Sequence, residues 1–104
     1  MIIQLNTDNN IPVSEELRAY SNDLMAEELK KFDNQVTRLE IYLSDENGDK
    51  GGENDKRCLI EARFKGRQPV AVSDSAGTLE QAIAGAAEKL KASLETILGR
   101  MRNH

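Results

Sequence analysis

Hydrophobic and polar positions alternate from the first residue of the chain. In Met1-Ile2-Ile3-Gln4-Leu5, residues Met1, Ile3 and Leu5 fall on one side of an extended backbone and Ile2 and Gln4 on the other. This period of two predicts an opening strand over 1–6, half or more buried. Thr7-Asp8-Asn9-Asn10-Ile11-Pro12 ends it with turn formers and a proline. The period then changes. Leu17, Tyr20, Leu24, Met25, Leu29 and Phe32 recur at three- and four-residue steps, one stripe of an amphipathic helix running to about Lys31. Ser14 is placed to cap that helix, and Glu15 and Glu16 set negative charge at the positive end of its dipole.

Alternation returns over Val36–Ser44, with Thr37, Leu39, Ile41 and Leu43 on one face and Arg38, Glu40 and Tyr42 on the other, as a sheet with one wet face requires. A second such strand covers Arg57–Lys65, with Cys58, Ile60, Ala62 and Phe64 inward. Gly66-Arg67-Gln68-Pro69 turns into a third over Val70–Ser73. Between the first two of these lies an acidic, glycine-rich loop at about 45–56. Residues 45 to 55 hold five acids against one lysine, and Asn47-Gly48 is a strong turn pair, so a mobile hairpin loop is expected. Thr78-Leu79-Glu80-Gln81 reads as a capping box. From there Leu79, Ile83, Ala87, Leu90, Leu94, Ile97 and Met101 sustain one stripe, a final helix over about 78–102. The fold class predicted is α+β: one β-α-β-β-β-α domain over 1–104, a four-stranded sheet with both helices packed on one face.

Composition narrows the chemistry. With 104 residues, 38% hydrophobic and 31% charged, the chain has room for one domain and no deep cleft between domains. The one histidine, His104, is the last residue, so nucleophilic catalysis by Ser/His or Cys/His lacks a base. The one cysteine, Cys58, falls on an inward strand position and excludes an internal disulfide. Asp45, Asn47 and Asp49 have the spacing of a calcium loop, but Lys50 and Lys56 stand where its glycine and its glutamate belong, and a solvated loop is the reading. No glycine fingerprint for a nucleotide is present. Neither a signal peptide nor a membrane anchor is read at the N-terminus. The expectation is a cytoplasmic protein that is not an enzyme, with no cofactor, metal, membrane or small-molecule substrate.

What remains is the placement of positive charge on a chain of net charge −4. Arg63 and Lys65 point outward at the end of one strand, with Arg67 in the next turn. Lys89, Lys91, Arg100 and Arg102 decorate the final helix. Ordinary solubilising charge is one account of them, phosphate contacts the other. One continuous positive strip joining the last helix to Arg63 and Lys65 would favour RNA. Cations separated by acids such as Glu40 and Glu61 would favour a protein-interaction module.

Particular residues add to this pattern. The strand Val36-x-x-Leu39-Glu40-Ile41-x-Leu43, the hairpin Glu61-Ala62-x-x-x-Gly66-x-x-x-Val70, and the helix run Ala82-Ile83, Glu88-Lys89-Leu90 and Leu94 occur in this order and spacing. In them the chain resembles, over essentially its whole length, the ribosome hibernation factor family (ribosome-associated inhibitor, hibernation-promoting factor and sigma-54 modulation proteins). The resemblance implies a fold like that of double-stranded RNA-binding domains, and binding to ribosomal RNA of the small subunit without catalysis. It also implies the short type, since the chain ends with its helix. By position it assigns Lys89 and Arg100 to the RNA-facing set. Glu80 stands where the family usually has tyrosine, Ala84 where it has aspartate, and Ala92, Thr96 and Leu98 where it has cations. The missing cations remove about three phosphate contacts and so about tenfold or more in affinity at cellular salt. Two functions therefore stand. One is a stress or stationary-phase translation modulator that binds small-subunit RNA through Lys89, Lys91, Arg100, Arg102, Arg63, Lys65 and Arg67. The other is a degenerate family scaffold, a protein-interaction or self-associating module, motivated partly by Ile97 and Leu98 as exposed apolar residues.

Overall fold

A computed structural model describes residues 1–8, 11–45 and 55–102, with only the backbone for 100–102. Strand β1 (Ile2–Thr7) leads to helix α1 (Glu15–Glu28) and a 3-10 turn (Lys30–Phe32). Strands β2 (Val36–Asp45), β3 (Lys56–Phe64) and β4 (Val70–Ala76) follow, and helix α2 (Leu79–Arg102) is the last described element. The sheet order is β1-β2-β3-β4. β1 runs parallel to β2, with Ile3 opposite Leu39 and Leu5 opposite Ile41, and α1 is the crossover that a parallel pair needs. β2, β3 and β4 form an antiparallel meander. α2 packs across β3 and β4, and α1 lies beside α2 and reaches β1, so both helices cover the same face. This is the predicted α+β architecture.

Local chemistry explains the ends of α1. Ser14 is extended (φ −73°, ψ 161°), and its Oγ accepts a hydrogen bond from the Leu17 N–H at 3.0 Å. The buried stripe is Leu17, Ser21 and Met25, continued by Leu29 and Phe32. The expected stripe included Tyr20, which is instead 38% exposed. A strict four-residue step puts position 21 on the midline and 20 on the flank, where the Tyr20 hydroxyl donates to the Glu80 carbonyl of α2. Nor does α1 reach Lys31. It stops at Glu28, and the tighter turn over Lys30–Phe32 swings Phe32 into the core.

Thr37 was expected inward and is exposed. Between Val36 and Arg38 the β2–β3 register shifts: Val36 pairs with Phe64, and Arg38 with Arg63. Such a bulge lets Val36 and Leu39, three residues apart, both face the core, while Thr37 Oγ1 donates to the Arg63 carbonyl at 3.1 Å. The core is then Val36, Leu39, Ile41 and Leu43 of β2 against Cys58, Ile60, Ala62 and Phe64 of β3. Over them lie Ala82, Ile83, Ala86, Ala87, Leu90, Leu94 and Leu98 of α2, the alanines letting the helix come close to the sheet. At its start, Thr78 Oγ1 accepts from the Gln81 N–H at 3.1 Å. Leu98 is buried against Phe32 and Gln35, and Ile97 is half-buried, so neither is the exposed apolar residue expected of it.

β4 extends three residues past the expected Ser73. Its alternation carries on through Val70, Val72, Asp74 and Ala76, which puts a carboxylate on the inner face, opposite Cys58. The acidic loop is described only at its roots. Asp45 ends β2, Lys56 begins β3, and Lys56 Nζ lies 2.6 Å from Asp45 Oδ2 and 3.5 Å from Asp55 Oδ2, which holds the Lys56 ammonium above its ordinary pKa. Residues 46–54, including the rest of the calcium spacing, lie outside the described residues.

Burial, with the nearby Asp74 charge second, pushes the Cys58 thiol up to about 12. Native protein at pH 8 should therefore resist iodoacetamide, and unfolded protein should be alkylated at once, read by mass spectrometry. A raised thiol pKa lowers stability only where the unfolded thiol ionises and the folded one does not. The loss should begin near pH 9 and grow towards pH 12. Rapid native labelling at pH 8 would contradict the buried placement.

Candidate nucleic-acid interface

The seven expected contact residues do not form one strip. Arg63 projects from the outer face of the sheet, whereas Lys89 and Lys91 belong to the helical layer on the opposite face. Two residues apart on a helix means about 200° around its axis. Lys89 accordingly turns towards β4 and Lys91 towards α1. Lys89 Nζ donates to the Ser73 carbonyl at 3.1 Å and to Asp74 Oδ1 at 3.0 Å, while Lys91 Nζ lies 3.7 Å from Glu28 Oε2. Arg100 and Arg102 occupy the last turns of α2, and their side chains are outside the described residues.

On the outer sheet face the charges interlock. Arg38 donates to Gln4 Oε1 and to Glu40 Oε1, the latter at 3.2 Å. Tyr42 donates to Glu40 Oε2 at 2.9 Å. Arg63 donates to Glu61 Oε1 at 3.0 Å, and a second Arg63 nitrogen is 3.9 Å from Glu40 Oε2. The Tyr42 hydrogen bond, ahead of that from Arg38, holds the Glu40 carboxyl below its ordinary pKa, and the same bond pushes the Tyr42 phenol up. Glu40 thus stays charged and offsets the arginines around it. Cations separated by acids describe this face.

Exposed pairs of this kind are worth about 0–1 kcal/mol. A phosphate could therefore displace the carboxylate from Arg63 or Lys91 at little cost, and from Lys89 only by also disturbing its tie to the Ser73 carbonyl; what the pairing removes is the positive field that attracts a polyanion from a distance. Lys65 and Arg67 differ. They flank Gly66, whose φ of 71° shapes the β3–β4 turn, and both are exposed, with no ion pair to any described residue. The turn follows Phe64, which pairs with Val36. Gln35, next to Val36, lines one small cleft with Leu98 and Gly99. The β3–β4 turn, the 3-10 turn and the last turns of α2 therefore share one end of the molecule.

That end also holds two lysines the sequence reading passed over as candidates. Lys31 pairs with Glu95 at 3.1 Å and stands 5.3 Å from the centre of the Phe32 ring, and Lys30 is exposed beside it. Only the packing of the 3-10 turn against α2 shows that they extend the cationic end. Asp74 was missed because its strand was cut short, although the alternation through Val72 would have found it.

Among the described residues no group of three or more His, Cys, Asp or Glu is placed to hold a metal. No helix among the described residues is long and apolar enough to cross a membrane.

Two solved structures share the fold. The crystal structure of the Thermus thermophilus Protein Y N-terminal domain matches with a TM-score of 0.74 at 20% identity, covering 93% of this chain and 99% of that one. The structure of a ribosomal subunit interface protein from Coxiella burnetii matches with a TM-score of 0.77 at 13% identity, covering 95% of this chain and 99% of that one. No curated protein sequence matches the chain significantly. The family model described as sigma 54 modulation protein / S30EA ribosomal protein matches residues 5–102. That span takes in every described element except the first three residues of β1, and the chain belongs to this family of ribosome-associated modulation factors.

Proposed function

We propose that the chain is a cytoplasmic translation modulator of the hibernation type, acting in stress or stationary phase, and that it binds ribosomal RNA of the small subunit. Family membership supports ribosome association. The observation that carries the RNA reading is the cationic end. Lys65 and Arg67 pair with no acid among the described residues and sit on a glycine-shaped turn, at the end where α2 brings Arg100 and Arg102. Arg63, Lys89 and Lys91 join by exchanging half-buried carboxylate partners for phosphates once the molecule is docked. Because much of the positive charge is internally offset, the electrostatic hold is modest and depends on salt.

Purified chain and small subunits, co-sedimented across a salt series, test this. The expected result is pelleting at low salt that fades as salt rises, with log K linear in log salt. Chain left in the supernatant at low salt overturns RNA binding. It would leave the second reading, a family scaffold recruited as a protein-interaction or self-associating module, which the interleaved acids of the outer sheet face favour.

A further inference from the structure

The two edges of the sheet are not equivalent. β4 carries Asp74 inward and follows Pro69, both devices that discourage a further strand from adding. β1 has neither. Its sequence, Ile-Ile-Gln-Leu-Asn-Thr, holds no charge and no proline, and Ile2 is 59% exposed. Among the described residues no strand pairs with its outer side. Beside this open edge lies a groove of about 620 Å³ between β1 and α1, with Ile3, Ala26 and Leu29 as its apolar lining.

We propose that the β1 edge and this groove receive an extended, lysine- or arginine-bearing segment of a partner protein, added to the sheet as a fifth strand. The backbone of β1 supplies the ladder, the groove takes the inward apolar side chains of the incoming strand, and the rim selects its charge. At that rim stand Asp23 and Glu27, both exposed and without an ion pair to any described residue. Asp33 is held by the Met1 amine at 3.5 Å, and Lys30 is the other cation. The wider surface of α1 has the same sign, since Glu15, Glu16, Asp23, Glu27 and Glu28 face one arginine, Arg18. A second copy of this chain is the poorer occupant. Pairing β1 to β1 about a two-fold axis would bring the acidic helix of each copy alongside the other. This inference does not depend on RNA binding, because the groove and the cationic end are built from different residues, Lys30 excepted.

The test is an NMR titration of the isotope-labelled full chain with a synthetic peptide of alternating threonine and valine over about six residues, the length of β1, with a lysine at each end to reach the rim. A control peptide of equal charge has the valines replaced by proline. Shift changes confined to β1 and the groove, slowed exchange of β1 amides and no response to the proline peptide are expected. Asp23→Lys with Glu27→Lys should weaken binding roughly tenfold, with an unchanged circular dichroism spectrum because both side chains are exposed. Ile2→Lys, on the outer face, should also weaken it. Equal binding of the proline peptide, or shifts spread over the surface, would show charge attraction alone and overturn the proposal. So would β1 protection that grows with protein concentration in the absence of peptide, which would make the occupant a second copy.

Discussion

Replacing Lys65 and Arg67 together by glutamate is expected to lower affinity for small subunits by roughly tenfold to a hundredfold and to shrink the slope of log K against log salt by about two. Both side chains are exposed on a turn, so the melting temperature should hardly move. Lys89→Glu provides the contrast. It would set a second carboxylate against Asp74 and lose the tie to the Ser73 carbonyl, so it should lower the melting temperature as well as any binding. Measuring both by co-sedimentation and thermal unfolding separates a contact residue from one that also anchors α2. If the Lys65/Arg67 variant binds like the wild type with an unchanged salt slope, the cationic end is not the RNA interface.

Gly85→Ala is expected to be the most damaging single methyl group in α2. A Cβ there would lie 2.8 Å from the Asp74 carboxyl carbon and 3.4 Å from its Cβ. Asp74 is not free to swing aside without breaking its 3.0 Å contact with Lys89, so either that pair is lost or α2 lifts from β4. Overpacking of this kind costs about 1–3 kcal/mol. That exceeds the ~1 kcal/mol alanine gains over glycine as a helix former. Combining Gly85→Ala with Asp74→Ala removes the obstacle and should restore most of the lost stability in urea unfolding. A Gly85→Ala variant as stable as the wild type would show that the close approach of α2 to Asp74 is not required.

Glycine at 85 and aspartate at 74 also show where one-dimensional reading stops. Alternation from Val70 could have carried the strand to Ala76, but the expected strand ended at Ser73, and a carboxylate such as that of Asp74 seldom faces a core. Its reason for being there, a glycine notch above it and Lys89 beside it, comes from α2, several residues further along the chain. Thr37 failed for a similar reason. A bulge leaves no trace in a run of alternating residues, and the pairing of Val36 with Phe64 is a property of two strands together. The candidate cations were legible as residues but not as a surface. Lys89 and Lys91, close in sequence, point to different neighbours because of helix geometry, and Lys30 and Lys31 become part of the charged end only once the 3-10 turn docks on α2.

The amino-acid sequence on its own was enough for the order and type of the elements and the identity of most core residues, which rest on periodicity, capping and spacing along the chain, and particular residues carried the resemblance to the family. Which charges face one another, which strand edge is left open and how near α2 comes to the sheet were decided only in three dimensions. Those properties depend on side chains distant in sequence meeting at a few ångströms, and electrostatic pairing and steric fit act over just such distances.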